Sequence, residues 1–163
     1  VSPFDLIPVS LWVVESGERW ASALRLALAQ HAPRDWSPRV RSEPRLPAPE
    51  RLRSLETPTV CLVEVIGEDR DPDAARMLEM LRWTSRAGQA PGCLVVAMLE
   101  TRDGPTEAAF REAGAVDVVG SPREASGLLR ALAPEVAAAW AEARSRLSIE
   151  ASVMRRLPWQ PAQ

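Results

Sequence analysis

Residues 108–122 read AAFREAGAVDVVGSP. The segment carries a helix end, a stop, a strand and the start of another helix in immediate succession. Helix-forming residues run from Thr106 to Ala113, and Gly114 offers the left-handed conformation that closes a helix. Val116–Val119 follows as a short apolar strand, and Pro122 has the fixed φ suited to the first position of a helix. A strand fed so directly by a helix belongs to an alternating α/β chain. Such chains fold as parallel sheets with right-handed crossovers.

The alternation extends upstream. Residues 93–99, CLVVAML, are apolar throughout, as in a central parallel strand covered on both faces. Before them, Asp71 and Pro72 mark the start of a helix that runs to about Arg86, with Ala74, Leu78 and Leu81 along one side. Residues 59–66, TVCLVEVI, have the β-branched content of a strand. Residues 32–58 are rich in Pro and Arg, with Arg39-Val40-Arg41 as an edge-strand candidate and Pro49 to Leu55 as a short helix. Residues 10–15, SLWVVE, form the first strand. A helix with Ser16 as N-cap then runs through Gln30 and places Trp20, Leu24, Ala27 and Leu28 on one face.

Five strands in this order predict an α/β fold: a flavodoxin-like three-layer sandwich with a parallel sheet of order 2-1-3-4-5. Downstream, Pro134 is expected to interrupt the last helix, and a second apolar pattern continues toward Met154. The expected division is a domain over residues 1–133 and a helical extension and tail over residues 134–163.

Composition narrows the chemistry. Apolar residues make up 46% of the 163, enough for a sizeable core, and the net charge of −2 gives no pull toward nucleic acid or an anionic membrane. All 20 basic residues are Arg, which excludes Schiff-base and P-loop lysine chemistry. Cys61 and Cys93 each sit inside an apolar run and read as buried, reduced thiols of a cytoplasmic protein, able to pair only if their strands are neighbours. No segment reaches the ~18 apolar residues of a membrane span. The N-terminal VSPFDLIPVS has no signal-peptide pattern.

The order of elements and the Ala-Gly-Ala, strand, x-Pro succession of residues 113–122 resemble a response-regulator receiver domain of the CheY-like superfamily, over about residues 10–133. In that family the binding crevice lies at the carboxyl ends of the strands, where an acid pair holds Mg²⁺ around a phosphoacceptor Asp. The resemblance maps this pocket onto Glu15, Ser16, Glu64, Ala97 and Ser121. Each position departs from the pattern. Glu15 and Ser16 stand for the acid pair, Glu64 for the phosphoacceptor, Ala97 for a hydroxyl residue and Ser121 for a lysine. A Glu carboxylate is displaced by about 1.5 Å relative to Asp, too far for in-line phosphoryl transfer, and no Lys or Thr offsets charge on the phosphoryl oxygens. The resemblance also implies a cis bond between Ser121 and Pro122, and an output surface made by the last two helices and the last strand.

These readings imply a non-phosphorylatable, receiver-like regulatory module, not an enzyme, that works through protein–protein interaction in bacterial signal transduction. No cofactor and no metal is expected; the partner is a protein, with a homodimer as one form, and neither nucleic acid nor membrane. A flavodoxin-like small-ligand binder or enzyme using the same crevice is the alternative, weakened by the lack of a glycine-rich loop and of crevice His, Cys or Lys. His31, the single histidine, reads as a solvated helix-end residue rather than a base. Trp20 and Trp140 fall on core faces, whereas Trp36, Trp83 and Trp159 read as loop or exterior residues. Trp140, Leu147 and Met154 recur at seven-residue steps, the mark of a helix seam, and with Trp159 are the interface candidates.

Overall fold

The computed structural model describes residues 6–53, 56–65, 74–100 and 103–154, and for 151–154 the backbone only. The expected helix start at Asp71–Pro72 and the candidate Trp159 lie outside these residues. The described strands are β1 (Ile7–Val14), β2 (Trp36–Glu43), β3 (Thr59–Val65), β4 (Cys93–Leu99) and β5 (Asp117–Val119). They form one parallel sheet of order β2-β1-β3-β4-β5. The helices are α1 (Arg19–His31), α2 (Pro49–Arg53), α3 (Ala74–Gly88), α4 (Gly104–Glu112) and α5 (Ala125–Met154). This is the flavodoxin-like sandwich that the alternation of elements predicts, with a C-terminal helix.

Side chains alternate across a sheet, so each strand feeds two cores. On one face Leu11, Val13, Leu62, Val96 and Met98 pack against Trp20 and Leu24 of α1 and Leu128, Leu129 and Val136 of α5. On the other, Trp12, Cys61, Val63, Val95 and Ala97 meet Leu52 of α2, Met80 and Trp83 of α3 and Phe110 of α4. Each such aliphatic side chain removed from water stabilises the fold by about 1.5–3 kcal/mol.

β1 starts three residues earlier than its sequence pattern indicates, at Ile7. Pro8 pairs only with β2 (opposite Ser37), because β3 joins at Ser10. There β1 is locally an edge, where a missing N–H is tolerated. α4 ends as expected at Gly114, whose φ is +102°. The Gly114 N–H bonds the Arg111 carbonyl, and the Ala115 N–H bonds that of Phe110, a Schellman closure. Gly88 also passes close: a Cβ there would meet the Gly114 carbonyl oxygen at 3.3 Å.

Four expectations are corrected. Pro134 does not interrupt the last helix; α5 runs through it to Met154. The ring lies on the exposed side, and Leu132 and Val136 on either side of it are buried, so packing outweighs the cost of about 3 kcal/mol for an internal proline. The Ser121–Pro122 bond is trans. The buried stripe of α3 is Met80, Trp83, Thr84 and Ala87, with Ala74 and Leu78 in solvent. Trp36 and Trp83 are both core residues. The Trp83 indole N–H donates to the Pro47 carbonyl at 2.7 Å, so a residue read as helix exterior anchors the loop before α2.

The two cysteines lie on neighbouring strands, with their sulfurs 3.8 Å apart and unbonded. The contact with the Cys93 thiol and burial push the Cys61 thiol well above its usual range, which favours its protonated form. No helix among the described residues is long and apolar enough to cross a membrane.

Candidate functional site at the carboxyl ends of the strands

Glu15, immediately after β1, is buried despite its charge. Its two oxygens accept from the backbone N–H groups of Trp20 at 2.8 Å and Ala21 at 3.0 Å, and the Ser42 hydroxyl donates at 3.3 Å. Those amides belong to the first turn of α1, which has no intrahelical acceptor for them. Glu15 therefore caps α1 from the preceding strand. Ser16 is not the N-cap; the helix begins at Arg19, and the Ser16 N–H bonds Glu64 at 3.3 Å.

Glu64 belongs to the last turn of the β3 ladder and shares the parity of Val60 and Leu62, so it faces α1. Arg19, the first residue of α1, reaches back across the crevice. One guanidinium nitrogen lies 3.2 Å from Glu64, and the other lies 3.4 Å from Glu100, just beyond β4. Glu15, Glu64 and Glu100 all continue the α1-facing parity of their strands. Two of these acids hold one arginine, and the third holds the helix that carries it.

The remaining pocket candidates do not converge on this pair. Ala97 lies in the opposite core, among Val63, Val95 and Val118. Ser121 follows β5 and caps a 3-10 turn over Pro122–Glu124: its hydroxyl accepts from the Arg123 N–H at 3.3 Å, and Glu124 accepts from the Gly120 N–H at 3.0 Å. Ser121-Pro122-Arg123-Glu124 has the Ser-x-x-Glu spacing of a capping box. Arg19 and Glu100 escaped the sequence reading. Strand parity carried the signal for Glu100, and its position one turn after a strand-end acid carried that for Arg19.

Among the described residues, the crevice thus offers no free carboxylate pair. Among the described residues, no three His, Cys, Asp or Glu side chains are grouped to hold a metal ion. A cleft of about 290 Å³ opens on the other side of Glu64, between Val14, Leu46 and Met80, with Arg45 and Arg76 at its rim. A second, of about 340 Å³, lies between β5 and α5 and is lined by Val116, Asp117, Ala131, Leu132 and Glu135.

The comparisons agree with this architecture. No family model and no curated relative matches the chain. Solved structures do. A CpaE2 pilus assembly protein from Sinorhizobium meliloti superposes with a TM-score of 0.55 at 13% identity, covering 77% of this chain and 97% of that one. A pilus assembly protein CpaE from Caulobacter crescentus gives 0.53 at 17% identity, with 77% and 96% covered. A CheY-like protein, TadZ, from Pseudomonas aeruginosa gives 0.54 at 20% identity, with 76% and 91% covered. The fold is receiver-like. At these identities the likeness concerns the fold alone, and the crevice residues speak for themselves. Of the interface candidates, Trp140 is half-buried against the α5 side of the core, Leu147 is exposed, and only the backbone of Met154 is described.

Proposed function

We propose that the chain is a receiver-like regulatory module that takes no phosphoryl group and acts through protein–protein contacts rather than catalysis. The observation that carries this reading is the Arg19–Glu64 pair: the carboxylate at the phosphoacceptor position is already paired with a cation from within the chain. Glu15 is committed to the N-terminus of α1 and cannot turn to a metal without releasing two amides. With the pocket silent, the α4–β5–α5 face is the surface left to transmit a signal, and its cleft beside Val116 and Leu132 suits a docked side chain. The pilus assembly proteins among the structural neighbours make pilus assembly the setting we favour, in the cytoplasm, with self-association through α5 as one form of contact.

Incubation with acetyl phosphate and Mg²⁺ tests the reading. Intact-mass spectrometry is expected to return the unmodified mass, and a phosphoryl adduct on Glu64 or Ser16 would overturn it.

A second reading rests on the cleft beside Glu64, where Arg45 and Arg76 stand with Glu79 around Val14, Leu46, Val63 and Met80. A small anionic ligand there would raise the melting temperature in a ligand screen, and that rise would vanish in an Arg76→Ala variant.

A further inference from the structure

The sheet face opposite α1 is unevenly covered. α2 has only five residues, and its Leu52 and Arg51 lie over Trp12. Toward the amino ends of β1 and β2 a cleft of about 310 Å³ opens instead. Its floor consists of three registered cross-strand pairs: Pro8 opposite Ser37, Ser10 opposite Arg39, and Trp12 opposite Arg41.

Arg39 and Arg41 are both exposed and stand two residues apart on β2, the outer strand of the sheet. Their side chains leave the same face about 6.5–7 Å apart along the strand. Among the described residues neither forms an ion pair, in contrast to Arg19, Arg25, Arg111 and Arg146. Arg41 stacks on the Trp12 ring with its guanidinium carbon 5.1 Å from the centroid, and Arg51 lies 4.9 Å from the same centroid. Stacking leaves the N–H edge of a guanidinium free to donate and removes rotamer freedom before any ligand arrives.

We propose that this cleft binds an extended acidic peptide segment of a partner protein, with carboxylates at alternating positions set against Arg39 and Arg41. The 6.5–7 Å step between the two arginines is also the step between alternate side chains of an extended peptide, so spacing and charge are complementary together. Pro38, immediately before Arg39, has no N–H to give, so side-chain pairing rather than strand addition carries recognition. The surface lies on β1 and β2, apart from the α4–β5–α5 face. Self-association and peptide binding can therefore be lost independently.

The test uses the full chain and fluorescence anisotropy of a labelled eight-residue peptide alternating Glu and Val. Saturable binding that weakens with added salt is expected. Arg39→Gln and Arg41→Gln should each weaken it about tenfold, as loss of one charge-assisted contact does, with unchanged circular dichroism. A Lys–Val peptide should not bind. Absence of binding, equal binding by the Lys–Val peptide, or unaltered binding by the Arg39→Gln/Arg41→Gln double variant would overturn the proposal. So would complete displacement by millimolar inorganic phosphate, which would mark a generic anion site.

Discussion

A guanidinium nitrogen of Arg19 lies 3.2 Å from a carboxylate oxygen of Glu64, joining the first residue of α1 to the end of β3 across the mouth of the crevice. The two partners are unequally exposed, at 52% for the Arg19 side chain and 9% for that of Glu64. Water screens the cation, so the pair fills the site without greatly stabilising the fold. Its consequence is occupancy: a carboxylate that would otherwise be open to a metal ion is paired with a tethered positive charge.

A double-mutant cycle with Arg19→Ala and Glu64→Gln should accordingly return a coupling of about 0.2–1 kcal/mol in urea unfolding. A coupling above about 2 kcal/mol would mean that the pair is desolvated and structural.

Glu15 should behave differently, because both its oxygens serve buried backbone amides. Glu15→Ala is expected to destabilise the chain by about 2–4 kcal/mol, since it removes a charged cap and strands two N–H groups. Glu15→Gln keeps one acceptor and should cost about half as much. Equal and negligible losses for both would show that α1 needs no cap.

The sheet was legible because apolar runs, Gly114 and the strand-to-helix alternation all pointed to one topology. Two kinds of residue were misread, for physical reasons. Trp36 and Trp83 sit where local sequence is polar or irregular, and only tertiary contact, as between the Trp83 indole and the Pro47 carbonyl, shows that they are buried. Pro134 carries a strong local signal against helix, yet Leu128, Leu129, Leu132 and Val136 bury one face of α5 around it. Glu15 and Glu64 were visible at strand ends, but their commitments were not. Glu15 reads from sequence as a member of the acid pair, and only the amides of Trp20 and Ala21 against it show that it is a cap.

The N-terminus of α4 supplies a pH dependence. The Asp103 carboxylate accepts from the Thr106 N–H at 2.8 Å, and that bond holds its pKa below the ordinary Asp value. A pKa lower in the folded than in the unfolded chain adds stability above the unfolded value, and this is lost as pH falls through the folded one. Urea midpoints should therefore decline below about pH 4 partly through this group. Asp103→Asn, which still caps but does not titrate, should show a shallower acid decline. An unchanged slope would remove Asp103 from the account.

The indoles permit a paired comparison. The Trp83 N–H has an acceptor in Pro47, whereas that of Trp36 is buried without one among the described residues. Both lose similar volume on replacement by Phe. Trp83→Phe should cost about 1–2 kcal/mol more than Trp36→Phe, because it leaves a carbonyl unserved while the other removes an unsatisfied donor. The reverse order, measured by urea unfolding, would show that ring packing rather than hydrogen bonding sets the difference.

The C-terminal helix decides where self-association could reside. Its Trp140, Leu147 and Met154 repeat suggests one seam, but the first member is already half-buried against the chain's own core. Leu147 is 49% exposed and lines a cleft with Pro58, Pro91 and Gly92 at the amino ends of β3 and β4. Ile149 is 60% exposed. Truncation after Ala133 would remove Val136, which is fully buried, and so would confound folding with assembly. Truncation after Ala143 keeps Val136 and Trp140 and removes Leu147 and Ile149. The shortened chain should retain its melting temperature within a few degrees, since Leu147 and Ile149, the large apolar side chains it loses among the described residues, are exposed. If α5 is the contact between copies, light scattering should give a dimer for the full chain and a monomer for the shortened one. Identical oligomeric masses for two folded chains would place the contact elsewhere and leave the α4–β5–α5 face to a foreign partner.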